Sequence, residues 1–130
     1  MGMSDLEQWD LKLRQALDAV DVELERRFGE ALRRHPSRPP NGVAASPKYD
    51  GVFSITASFS MGYTTGNIPG YTIELRIVSA SPVDAGTREL ILDEASALLP
   101  EAIAQAFPGR KLSLERRGDR FFLSGDLGLG

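Results

Sequence analysis

The chain contains no cysteine. That absence excludes a disulfide framework, thiol catalysis and thiolate-bound zinc. A single histidine, His35, excludes any site that needs two imidazoles. It precedes Pro36 near an expected helix end, where an imidazole simply complements the helix dipole. No G-x-S-x-G elbow surrounds any serine, so no serine nucleophile is indicated. No uninterrupted apolar run is long enough to span a bilayer. The segment Met1-Gly2-Met3-Ser4-Asp5-Leu6 has neither a basic n-region nor an apolar h-region. No signal peptide is therefore expected, and the expected location is cytoplasmic. Nothing indicates a cofactor, a metal or a membrane contact.

The 130 residues are 42% hydrophobic and 25% charged, with a net charge of −3. This is the composition and length of one soluble globular domain over 1–130. The acidity argues against a general polyanion binder.

A capping box, Ser4-Asp5-Leu6-Glu7, predicts a helix start. Leu6, Trp9, Leu13, Leu17, Val20, Leu24, Phe28 and Leu32 then recur at spacings of three or four, which is one helical stripe. Gly29 is a weak point, and the helix must stop before Pro36. A helix over 5–34 would be roughly 45 Å long, against about 33 Å for a ten-residue strand. An overhanging end carrying Phe28 and Leu32 would call for a partner, most simply a second copy. Leu11 and Val22, off the main stripe, offer a second apolar contact. Glu7, Asp10, Asp18, Asp21 and Glu25 form a stripe beside the apolar one and read as a solvated face. Glu-x-x-His, the helical metal signature, is absent.

Residues 36–51 are rich in Pro, Gly and Ser and read as a linker within the domain. The period then changes to two. Phe53, Ile55, Ala57, Phe59 and Met61 alternate with polar residues, as do Tyr71, Ile73, Leu75 and Ile77, which predicts two strands. Pairing Met61 with Tyr71 sets Phe59 opposite Ile73 and Ala57 opposite Leu75. The same register sets Ser58 opposite Glu74 and Thr56 opposite Arg76. Helical spacing returns over 84–107, with Pro100 predicting a kink or two short helices. Leu112 and Leu114 begin a third strand. Arg117-Gly118-Asp119-Arg120 is a tight turn, with Gly118 suited to a positive φ. Pairing Arg117 with Arg120 sets Leu114 opposite Leu123 and Lys111 opposite Asp126. Phe121, Leu123, Leu127 and Leu129 share a face, so the last strand is expected to run towards the C-terminus.

The order helix-hairpin-helix-hairpin (αββαββ) predicts an α+β two-layer sandwich. Its four-stranded antiparallel sheet is covered on one face by helices.

Three segments are candidates for contact with other molecules. The loop 62–70 carries three glycines plus Tyr63, Thr64, Thr65 and Asn67, a set of amides and hydroxyls that suits a polar ligand. The polar sheet face offers Thr56, Ser58, Glu74 and Arg76. Arg110, Lys111, Arg116, Arg117 and Arg120 form a basic patch within 109–130, which carries five basic and three acidic residues. Residues 84–101 carry one basic and five acidic residues, so the two segments are oppositely charged. Such a division can orient a partner. The expected function is a non-enzymatic protein-interaction or adaptor module that self-associates as a homodimer. The alternative is a small polar-ligand binding protein or minor enzyme using the 62–70 loop and the Ser/Thr-rich sheet face. Nucleic acid is the weakest partner class, given the overall charge.

Overall fold

The computed structural model describes residues 5–32, 34, 36–44, 46–60 and 69–125. Its elements are α1 (Asp5–Phe28), β1 (Phe53–Ser60), β2 (Gly70–Ile77), α2 (Ala85–Ala106), β3 (Leu112–Arg117) and β4 (Arg120–Gly125). This is the α+β order that the alternation of periods predicts. The strands form one antiparallel sheet in the order β1-β2-β4-β3.

Helix α1 runs for 24 residues and gives way at Gly29 to a single 3₁₀ turn, Gly29–Ala31. The helix is therefore shorter than the 5–34 span, at about 36 Å. Glycine's backbone entropy weakens the helix there, and no residue of Gly29–Ala31 is buried to hold a further turn. The expected overhang does not exist, because Phe28 and Leu32 pack against the core. Ser4 of the capping box lies outside the described residues. Trp9, Leu13, Leu17, Val20 and Leu24 are buried, and α1 packs on α2 and β1.

Helix α2 is one continuous element through Pro100, which corrects the expectation of two short helices. Its apolar face supplies the reason: Ile91, Ala95, Leu99 and Ile103 are buried on both sides of the proline. That burial offsets the one backbone bond that proline removes. Asp84 caps the start, accepting from Thr87 N at 2.8 Å.

The first hairpin differs from its expected register by two residues. Phe59 faces Tyr71, Ala57 faces Ile73, Thr56 faces Glu74 and Ser54 faces Arg76. A two-residue slip keeps every side chain on its face, so alternation alone cannot distinguish the two pairings. The second hairpin has its expected register, with Arg117 facing Arg120 and Leu114 facing Leu123, and Gly118 at φ +67°. Asp126, Leu127 and Leu129 lie outside the described residues.

The core lies between helices and sheet. Trp9 stacks on Phe107 with centroids 3.7 Å apart, joining the start of α1 to the end of α2. The far face of the sheet is polar except for Phe122, which is buried. Its ring occupies the space beside Gly70, where a Cβ would come within 2.8 Å of Phe122 Cζ and 2.4 Å of Leu123 O. Arg117 lies over the same ring at 5.0 Å.

Candidate functional site

The segment expected to be a linker is tied across α1. Arg38 ties the segment to itself and to the start of β1, its guanidinium donating to the carbonyls of Lys48, Asp50, Gly51 and Phe53 at 2.6–3.1 Å. Asp50 Oδ2 accepts from Gly42 N and Ala44 N at 2.9 and 3.1 Å. Glu25 Oε2, on α1, accepts from Val52 N at 3.2 Å. Residues 38–52 thus form a strap held by polar contacts, with a 3₁₀ turn at Pro47–Tyr49.

Between α1, the strap and the near face of β1 lies a pocket of about 440 Å³. Leu11, Leu13 and Leu17 line it from α1, Ala57 and Phe59 from β1, and Tyr71 from β2. Asp10, Arg14, Lys48 and Thr56 supply its polar groups. Tyr71 donates to Asp10 Oδ1 at 2.6 Å. Burial, and then that carboxylate, push the Tyr71 phenol well above its ordinary range. Arg14 Nε donates to Asp18 Oδ1 at 2.8 Å. Arg14 Nη2 sits at the same distance from Asp18 but makes no hydrogen bond.

The carboxylate stripe is not a solvated face throughout. Asp21 is fully buried, and neither of its oxygens has a hydrogen-bond partner. Burial first, then the carboxylates of Glu25, Asp50 and Asp18, push its acid up to about 8, while Arg14 pulls it down. Glu25 is raised too, chiefly by burial, against the pull of the Val52 amide. The sequence signal for Asp21 was its position, four residues after Leu17 and three before Leu24. That places it within the buried stripe.

Edge exposure separates β1 from β3. Both are edge strands. β3 carries Glu115, Arg116 and Arg117, the charged guard that keeps edges from pairing. β1 (FSITASFS) carries no charged residue and no proline. The Val78 N–H donates to Val52 O at 2.8 Å, one step beyond the strand pair. This fixes the ladder, so that Ser54, Thr56, Ser58 and Ser60 exchange bonds with β2 while odd-numbered residues turn their backbone groups outward. Of these, Phe53 gives its carbonyl to Arg38 and Ile55 is buried. Ala57 and Phe59 are half-buried at the pocket, and their outward groups have no partner among the described residues.

The sequence candidates distribute unevenly. Tyr63, Thr64, Thr65 and Asn67 lie outside the described residues, as does His35. Thr56 lines the pocket, and Ser58 is the exposed position of β1. Glu74 faces Arg120 at 3.5 Å, and Arg76 is exposed opposite Ser54. The basic patch is divided among internal partners. Arg116 pairs with Glu89 and Asp93 of α2 at 2.7 and 2.9 Å, and Arg117 pairs with Glu115 at 3.0 Å. Arg110 lies over Trp9 at 5.6 Å. The oppositely charged segments 84–101 and 109–130 therefore meet each other. Lys111 makes none of these contacts. Among the described residues, no group of three or more His, Cys, Asp or Glu is placed to hold a metal, and no helix is long and apolar enough to cross a membrane.

Compared with known proteins, the chain matches over residues 4–125 a family model described as "Uncharacterised protein". The chain belongs to this family. The matched span runs from the start of α1 to the end of β4, so it includes the strap, the pocket and the β1 edge. A protein of Borreliella burgdorferi, described in the same words, is 30% identical over 125 residues, which cover 96% of this chain and 98% of its own. No solved structure matches the chain.

Proposed function

We propose that this member of the family is a non-enzymatic interaction module that works in the cytoplasm. Its contact surface is the outer edge of β1, and its partner strand comes from a second copy. One observation carries the reading: β1 is an uncharged edge strand whose backbone groups at Ala57 and Phe59 face outward without partners. An edge of this kind pairs readily with another strand. Self-pairing suits it, because no like charges would be set side by side along the strand. A two-fold axis at Ser58 pairs Ala57 with Phe59 of the second copy and sets the two Ser58 residues opposite each other. The exposed Leu11 beside the pocket then gains apolar cover.

Light scattering on the wild type and on Ala57→Pro tests the reading. The Ala57 N–H points away from β2, so proline at this edge leaves the intrachain ladder intact. The expected result is a dimeric wild type and a folded, monomeric variant. A wild type that stays monomeric at high concentration, or a variant that stays dimeric, would count against the reading.

A second reading, binding of a small polar ligand, is favoured by Arg14 Nη2, a buried donor without a hydrogen bond in the wall of the pocket. A thermal-shift screen with small carboxylates and phosphates tests it, since a ligand of the native state raises the midpoint. No shift with either class removes it.

A further inference from the structure

Among the described residues, the buried side-chain polar atoms without a hydrogen bond are Arg14 Nη2, both Asp21 oxygens, Ser46 Oγ and Asp50 Oδ1. All belong to α1 or to the 38–52 strap. Native proteins leave few such atoms, and their concentration at one contact marks it as unlike the rest of the interior. The two sides of this contact are also held differently. Helix α1 is fixed by Leu13, Leu17, Val20 and Leu24 in the apolar core. The strap is held to itself and to β1 by the bonds of Arg38 and Asp50, and to α1 by the bond of Val52 N to Glu25 and by the buried Val52 side chain.

We propose that Asp21 is a proton-operated latch: as a neutral acid it lets the strap close over α1, and on ionisation it releases the strap. The charged groups around it give the reason. On α1, Asp18 and Glu25 repel an Asp21 anion and Arg14 attracts it. From the strap, Asp50 repels it, while Arg38 acts on Glu25 and is already engaged by carbonyls. On α2, Glu94 engages Arg27, and β1 has no charged side chain. An ionised Asp21 would thus be a buried anion with no donor and three carboxylate neighbours, a state that protein interiors do not hold. Solvating it means opening one side. The strap yields before the helix does, because separating it from α1 uncovers Val52 as its one buried apolar side chain among the described residues, against the four that hold α1. The released proton goes to water, and no other bond changes. Burial and the three carboxylates place the event near pH 8. The latch stands apart from the β1-edge reading and holds whether or not the chain self-associates.

Nuclear magnetic resonance on the intact chain provides two readouts. The first is the carboxyl-carbon shift of Asp21 against pH, which reports its protonation directly. The second is the protection of the Val52 amide, which bonds Glu25 of α1 when the strap is closed. Asp21 should be protonated at pH 6. The Val52 amide should lose at least tenfold of its protection between pH 7 and pH 9, while the Ile73 amide in β2 keeps its own. In Asp21→Asn the Val52 amide should stay protected across the range. An Asp21 already ionised at pH 6 in the wild type would overturn the proposal without any variant. Protection that is flat with pH, or lost equally at Ile73 and the strap, would overturn it too, as would an unchanged loss in Asp21→Asn.

Discussion

Tyr71 on β2 donates its hydroxyl hydrogen to Asp10 Oδ1 on α1 at 2.6 Å. The ring is buried between Trp9 and Phe59, with centroids 6.5 and 5.2 Å away, and both Tyr71 and Asp10 line the pocket. One side chain therefore fills the core and fixes the start of α1 over the sheet.

Tyr71→Phe keeps the ring and removes that bond. A hydrogen bond to a charged acceptor contributes about 1.5–3 kcal/mol. Urea titration should show a loss of that order. An unchanged midpoint would mean that Asp10 is equally well solvated without the phenol.

Asp21→Asn should gain stability relative to wild type as pH rises, and should be the more stable of the two near pH 8. The folded-state acid is raised from 3.8 to about 8. Between those values the unfolded chain has lost the proton that the folded chain keeps. Stability from this group is therefore fully present below pH 4, falls as pH rises towards 8, and is flat beyond. The slope is about 1.4 kcal/mol per pH unit within that window. An amide also meets few partners there, a cost that does not vary with pH. The variant should therefore be less stable than wild type near pH 4, overtake it as pH rises, and be the more stable by about 1–3 kcal/mol near pH 8. Chemical denaturation at pH 5, 6.5 and 8 measures it. A variant less stable than wild type at every pH would contradict the assignment.

Gly70→Ala should destabilise by about 1–3 kcal/mol, the usual cost of overpacking. The added Cβ would meet Leu123 O at 2.4 Å, and a backbone oxygen within a sheet cannot step aside. The paired variant Gly70→Ala/Phe122→Leu should recover little, because it relieves the ring and leaves the carbonyl. Full recovery would place the conflict at the ring instead.

Arg116→Ala should move the thermal midpoint only slightly, and the difference should vanish in 1 M salt. Its partners Glu89 and Asp93 are well exposed, and surface pairs of this kind contribute little. A large, salt-independent loss would mean that the arginine stem, packed beside α2, is what matters.

Much of the architecture was legible because period and burial agree. The stripe from Trp9 to Leu24 and the alternation of Phe53–Phe59 and Tyr71–Ile77 mark the buried faces. Gly118 marks the second turn. The Phe59–Tyr71 pairing was not legible, since sliding the hairpin by two residues preserves every face. The site was less legible still. Arg38 and Asp50 act on backbone groups of their own segment, and no side-chain pattern announces that. Asp21 was assigned to a polar flank on its chemistry, although its spacing from Leu17 and Leu24 placed it inside. The outward groups of Ala57 and Phe59 belong to the backbone, and only the ladder reveals which way they point.

The most direct test of the β1 edge uses Ser58, the exposed centre of that strand. Ser58→Lys and Ser58→Glu each set like charges opposite one another across the proposed two-fold axis. Light scattering should find each variant monomeric alone and a dimer on mixing the two. Dimers in either variant alone, or no dimer in the mixture when the wild type forms one, would contradict pairing through this edge.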